Sequence, residues 1–182
     1  MRIIAGEYKG RKLLSPNGQS IKPTGDKVKE AIFSMTAGYI EGAVVIDLFS
    51  GSGCLGLEAI SRGAGICYFC DNSKDSIALI KKNIEICGAT EKSRVLVGDF
   101  KKTLLMIPEK ANVIFLDPPF EKGVFAACFE SIHNAGVLAG GGIVVAEHGR
   151  RELLPGAFYN LGRLKEKKYG VVHVSLYVEL NN

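Results

Sequence analysis

The chain has 182 residues, 47% of them hydrophobic, and a net charge of +4 at pH 7. That length supports one domain with a sizeable core, and no run approaches the ~20 apolar residues of a membrane span. The charge is uneven: residues 1–30 hold seven basic and three acidic groups, while the remaining 16 basic and 16 acidic groups cancel. A basic arm on a neutral body points to a polyanionic partner, most simply nucleic acid.

The first residues, Met1 to Glu7, carry no long apolar region after their charge, so no secretory leader is expected and the expected compartment is cytoplasmic. Arg2 to Ser15 reads as a hairpin, with Ile3-Ile4 and Leu13-Leu14 flanking a turn that contains Gly6 and Gly10. Pro23-Thr24-Gly25-Asp26 opens a helix through about Thr36, with Thr24 or Asp26 as its cap. Val28, Ile32 and Met35 form its apolar stripe.

From Ala43 strands and helices alternate. Strands are expected at Val44–Phe49, Cys67–Cys70, Arg94–Val97, Val113–Leu116 and Gly142–Glu147. Helices are expected from the Gly51 loop to about Arg62, from about Asp75 to Cys87, from Phe100 to Ile107 and from about Val124 to Ala135. This is the rhythm of an α/β, doubly wound, Rossmann-like sheet, mostly parallel. At the end, the charged run Arg163–Lys168 meets Tyr169-Gly170. In Val171–Leu180, Val172, Leu176, Val178 and Leu180 alternate with His173, Ser175, Tyr177 and Glu179, which predicts a C-terminal antiparallel hairpin. The organisation expected is a basic hairpin-and-helix extension over 1–40 and a catalytic domain over 41–182.

Five cysteines, Cys54, Cys67, Cys70, Cys87 and Cys128, without an export signal argue for reduced thiols. Cys67 and Cys70 are three apart in a strand and point to opposite faces. No second pair completes a metal site, so no metal is expected.

Gly51-x-Gly53-x-x-Gly56, after a strand and before a helix, fits a nucleotide-binding loop, and Asp71 at the end of the next strand is placed for ribose hydroxyls. Asp47 narrows the choice. A carboxylate four residues before Gly51 suits a pyrophosphate poorly and suits a ligand bearing a sulfonium and an ammonium, as S-adenosylmethionine does. Asp99-Phe100, ending the third strand, could hold an adenine, though Phe100 could equally be core.

Val113-Ile114-Phe115-Leu116-Asp117-Pro118-Pro119-Phe120 is an apolar strand stopped by two prolines, which cannot continue a ladder. In a doubly wound order this strand lies beside the first, so its end faces the same crevice as Gly51. The Asp117 carboxylate and the Pro118 carbonyl can accept N–H groups from an exocyclic amine, and Phe120 can stack on the base. Accepting those bonds restores electron density to an aryl amine nitrogen.

Asp117-Pro118-Pro119-Phe120 resembles the Asp/Asn-Pro-Pro-aromatic motif of methyltransferases acting on exocyclic amines of nucleobases, and Asp47 to Gly53 resembles their cofactor motif. Arg2 to Leu13, Pro23-Thr24 with Lys27 to Phe33, and Lys168-Tyr169-Gly170 extend the likeness: the chain resembles the RsmD family nearly end to end. The resemblance implies methyl transfer from S-adenosylmethionine to N2 of a guanine in 16S rRNA, at the guanine-966 type of site. It implies cofactor binding by Asp47, Gly51, Gly53, Asp71, Asp99, Phe100 and Thr24, where Thr24 could instead be a helix cap. It places the guanine on Asp117, Pro118, Pro119 and Phe120. It assigns RNA to the N-terminal segment with Arg2, Lys9, Arg11, Lys12 and Lys22, and to Lys168. Lys165, Lys167 and Lys168 could touch phosphates or be solvated turn charges. Asp71 departs from the glutamate usual in that family, and the shorter acid still reaches a ribose.

A chain this short has no separate recognition domain, so the substrate expected is a partly assembled small ribosomal subunit, met by a monomer. The rivals are an N6-adenine or N4-cytosine DNA methyltransferase, a nicotinamide-dependent oxidoreductase and a non-catalytic RNA-binding module.

Overall fold

The computed structural model describes residues 1–15, 25–119 and 123–180. Its centre is one sheet of eight strands, in the order β3-β2-β1-β4-β5-β8-β7-β6. The strands are β1 (Val44–Asp47), β2 (Ile66–Asp71), β3 (Ser93–Val97), β4 (Ala111–Leu116), β5 (Leu138–Gly149), β6 (Ala157–Phe158), β7 (Leu161–Tyr169) and β8 (Val172–Glu179). The first five are parallel to one another, and β8, β7 and β6 join them through antiparallel pairings. The Rossmann-like, mostly parallel sheet expected from the sequence is what the chain forms.

The helices are α1 (Asp26–Met35), α2 (Ala37–Ile40), α3 (Cys54–Ser61), α4 (Lys74–Cys87), α5 (Phe100–Leu104) and α6 (Phe125–Ala135). Strand residues alternate between two apolar layers, as the two-residue pleat demands. Val45, Val113, Val145 and Val174 face the layer that also holds α1, α3 and α4 residues, while Ile46, Ile114, Val144 and Tyr177 face the layer holding α5 and α6 residues. Each fully buried Val, Ile or Phe in these layers is worth about 1.5–3 kcal/mol. The Cys67–Cys70 pair splits between the layers as the pleat requires. All five cysteines are buried, unpaired thiols, and burial pushes Cys54, Cys70 and Cys128 up to about 12.

The local sequence explains α4 well. Ser73 caps it by accepting the Ser76 N–H at 3.3 Å, Gly88 ends it in the left-handed region, and Ile77, Ile80, Ile84 and Cys87 are its buried apolar residues. These recur at three- and four-residue steps, the stripe a helix lays on a sheet. In α1 the capping expectation fails: Gly25 is the N-cap without a side-chain bond, and Asp26 sits inside the first turn, paired with Arg2 at 3.0 Å. Thr24, Lys22 and Phe120 lie outside the described residues.

Two further expectations change. The Arg2–Ser15 segment folds back on itself but contains a single Arg2–Lys12 bridge in place of strands. The other change concerns the tail. The antiparallel hairpin expected there forms, with the charged run as strand β7 and Gly170 in the turn; what changes is that β8 inserts between β5 and β7. The supposedly polar face of β8 is therefore buried: Tyr177 lies against Phe129 and Phe158 and donates its hydroxyl to the Pro155 carbonyl at 2.7 Å.

Candidate active site

The C-terminal ends of β2, β1 and β4 form one edge of the parallel sheet. Successive helices leave β1 and β4 for opposite faces there, opening a crevice at the switch in strand order. Register fixes the neighbours: Asp47 lies beside Phe69 of β2 and Phe115 of β4. The Leu48 N–H still donates to the Phe115 carbonyl at 3.1 Å. One residue later β4 ends at Leu116, ahead of the two prolines, and Asp117 is left half-buried.

The glycine loop is tied at both ends. The Ser50 N–H donates to the Cys70 carbonyl at 3.1 Å, the Ser50 hydroxyl to the Asp47 carbonyl at 2.6 Å, and the Gly53 N–H to the Ser50 carbonyl at 2.6 Å. Gly51 and Gly53 hold φ of +56° and +78°, a conformation costly for a residue with a Cβ. Space above Gly51 is open, leaving its backbone accessible from the crevice. Gly56 answers a different need: a Cβ there would sit 2.4 Å from the Phe69 ring and 2.6 Å from the Cys67 sulfur, so α3 could not lie this close to β2.

Asp71 organises the loop through both carboxylate oxygens, accepting the Gly51 N–H at 2.9 Å and the Ser73 N–H at 2.8 Å. Asp99 accepts the Lys101 N–H at 2.9 Å and caps α5. Phe100 packs against Phe49 with ring centroids 5.7 Å apart. A small cleft lies between these groups, lined by Leu48, Phe49, Asp71, Asn72, Gly98, Asp99 and Phe100. Two rings and two carboxylates around a cleft suit a flat heterocycle joined to a sugar. Phe49, Asn72 and Gly98 escaped the sequence reading. Phe49 carried a signal, since it lies inside the strand-to-loop string; Asn72 and Gly98 carried none without the fold.

Asp47 is 1% exposed and accepts the Gly56 N–H at 3.0 Å. Burial pushes its carboxyl up to about 7, against the pull of the Gly56 N–H, and the charges of Asp117 and Asp71 push the same way. Asp117 also acts on Cys54, the residue after Gly53. Acids 47, 71 and 117 thus share one field, at the ends of three adjacent strands. Such a crevice repels phosphate and attracts a cation. These residues fit a cofactor with a heterocycle, a ribose and a positively charged end.

The N-terminal segment reaches the site from the α3 and α4 side. Asn83 accepts the Leu14 N–H at 2.8 Å and donates to the Ser52 carbonyl at 2.9 Å. Glu58, buried in α3, accepts the Ile4 and Ala5 N–H groups at 2.8 and 3.0 Å, and Arg62 at 2.8 Å, with Lys29 at 3.5 Å. Among the basic residues singled out from the sequence, Arg11 is engaged with the Ile86 carbonyl at 2.9 Å, whereas Lys9 and Lys12 are exposed.

The model of the family described as Conserved hypothetical protein 95 matches residues 1–178. Bacillus subtilis YlbH is 37% identical over 180 residues, covering 97% of this chain and 98% of that protein. Ribosomal RNA small subunit methyltransferase D of Escherichia coli K12 is 32% identical over 177 residues, covering 97% of this chain and 89% of that protein. The solved structure of yhhF from Escherichia coli superposes with a TM-score of 0.88 at 32% identity, covering 100% of this chain and 99% of that one. With agreement along nearly its whole length, the chain belongs to the Conserved hypothetical protein 95 family, the RsmD family of rRNA methyltransferases.

Proposed function

We propose that the chain transfers a methyl group from S-adenosylmethionine to N2 of a guanine in 16S rRNA, the guanine-966 type of site. The observation that carries this reading is the meeting of Asp47 and Asp117 at the ends of β1 and β4, across one crevice. When bound, the cofactor supplies an electrophilic methyl on a sulfonium. The cleft of Phe49, Asp71, Asp99 and Phe100 would hold its adenosine, and Gly51 with the buried Asp47 its cationic methionine end.

Asp117 and the Pro118 carbonyl accept hydrogen bonds from the guanine amine. This orients the nitrogen lone pair and raises its nucleophilicity, and it gives the departing proton a carboxylate to reach. Phe120 is proposed to stack on the base, and Thr24 to border the cofactor mouth. The basic extension over 1–40 is proposed to contact RNA through Lys9 and Lys12. A target base must be unpaired or flipped to enter such a crevice. We place the reaction in the cytoplasm on a partly assembled small subunit, with the enzyme acting as a monomer. No helix among the described residues is long and apolar enough to cross a membrane.

The test is to incubate the protein with methyl-labelled S-adenosylmethionine and small-subunit particles from cells lacking it, then map the label. Label on a guanine N2 is expected. Label on adenine, on cytosine or on no nucleotide overturns the reading.

A further inference from the structure

The antiparallel end of the sheet carries a second surface at the level of the site. Because β5 runs parallel to β4, its last residues lie on the same edge as Asp117. Gly149 pairs with Val172 and Val172 with Tyr169, so the β7–β8 turn is on that edge too. The Arg150 N–H donates to the Val171 carbonyl at 2.9 Å and fastens the segment after β5 to this turn. Arg150, Arg151 and Lys168 are exposed and Lys167 is half-buried.

The rim rests on a hydrogen-bonded polar seam. His148 shares hydrogen bonds with the Glu152 carbonyl and the Ser175 hydroxyl, both at 2.9 Å, and His173 contacts Glu166 at 3.1 Å. Glu166, the acid on β7, is thereby engaged beneath the rim. At the other end of the same edge, Asp71 and Asp99 line the cofactor cleft. Of the N-terminal cations, Lys29 is buried against Glu58, while Arg2 and Arg11, in contact with Asp26 and the Ile86 carbonyl, remain exposed.

We propose that Arg150, Arg151, Lys167 and Lys168 form the track along which the RNA backbone leaves the target nucleotide. The inference rests on the reading of the crevice as an RNA methyltransferase site. With strands about 4.8 Å apart, β7 lies roughly 14 Å from β4, a few nucleotide steps from a base held at Asp117. Repulsion at the carboxylate end and attraction at the basic end give the strand one direction. The contacts are to phosphates, so they add affinity and register without reading sequence.

The experiment measures binding of a mixed-sequence single-stranded RNA of about 20 nucleotides to the full chain across a salt series. The rim variants are Arg150→Ser with Arg151→Ser, and Lys167→Ser with Lys168→Ser. Lys167→Gln with Lys168→Gln repeats the second pair with longer side chains. Lys101→Ser with Lys102→Ser, exposed on α5, controls for loss of charge alone. Melting temperature and S-adenosylmethionine affinity report folding. Each rim pair is expected to lose about tenfold or more in affinity at low salt, and its log–log salt slope to fall by about 1.4. Unchanged slopes in the rim pairs, or an equal fall in the Lys101/Lys102 pair, overturn the proposal. Methylation of subunit particles by the unaltered protein is scored separately. RNA held by the rim without methyl transfer would sink the proposed function and leave the track standing; methyl transfer with intact rim-variant binding would do the reverse.

Discussion

Two buried acids in neighbouring parts of the molecule have opposite surroundings. Glu58, 0% exposed in α3, is met by two backbone N–H groups, Arg62 and Lys29. Asp47, 1% exposed at the end of β1, receives the Gly56 N–H and faces the charges of Asp117 and Asp71. The first is a complete knot that fastens the N-terminal segment and α1 to α3. In the second, like charges gather at the end of the parallel sheet. One carboxylate is thus neutralised by its neighbours, and the other is left short of positive charge.

Removing Asp117, the acid proposed to face the guanine amine, tests the crevice half most severely. Asp117→Ala is expected to lower turnover by about 100-fold or more, with S-adenosylmethionine affinity within a few-fold of the original. Single-turnover rates and calorimetry would separate the two, and a fully active variant removes Asp117 from the chemistry. On the other side of the comparison, Glu58→Ala strands Lys29 in the core. Breaking a buried pair costs about 3–5 kcal/mol, which in a domain of this size lowers the melting temperature by roughly 10 °C. A calorimetric scan checks it; a shift near zero would mean that the knot holds nothing.

Asp71→Ala should weaken the cofactor about tenfold or more, near 1.4 kcal/mol per decade, because it removes both the proposed ribose acceptor and the bond that fixes Gly51. Asp47 offers a finer test, through protons. Its folded-state pKa of about 7 lies above the ordinary 3.8. The folded protein therefore retains a proton that the unfolded chain releases from pH 4 upward, so ligand-free stability falls as pH rises from about 4 to 7 and then levels off. Asp47→Asn should flatten that fall. A cationic ligand favours the carboxylate, so binding at pH 7 should release about half a proton. Calorimetry in buffers of differing ionisation enthalpy measures this; proton uptake would contradict a cation beside Asp47. The smallest effect is expected from Arg11→Ala, whose exposed bond to Ile86 should cost about 1 kcal/mol or less.

The legible parts of the sequence were those governed by local rules. The Val113–Leu116 run, closed by two prolines, reads directly as a buried strand that must stop, and Ile77, Ile80, Ile84 and Cys87 read as one helix face. The spacing from Asp47 through Gly56 announced a loop built for close backbone approach. The basic count over residues 1–30 was legible as a number, whereas the partners of its members were not, since Arg2, Arg11 and Lys29 meet groups that lie 24, 75 and 29 positions away in the chain.

By itself the sequence determined the alternation of strands and helices, the loop after β1 and the abrupt end of β4, because periodicity, glycine and proline act within a few residues. The tertiary structure alone decided that β8 enters the sheet between β5 and β7, which buries its polar-looking face and carries Lys167 and Lys168 to the edge that holds Asp117. It alone also decided which acids would be neutralised and which left facing one another. Both outcomes depend on strand order and burial, and the field at a carboxylate is set by neighbours in space whatever their distance along the chain.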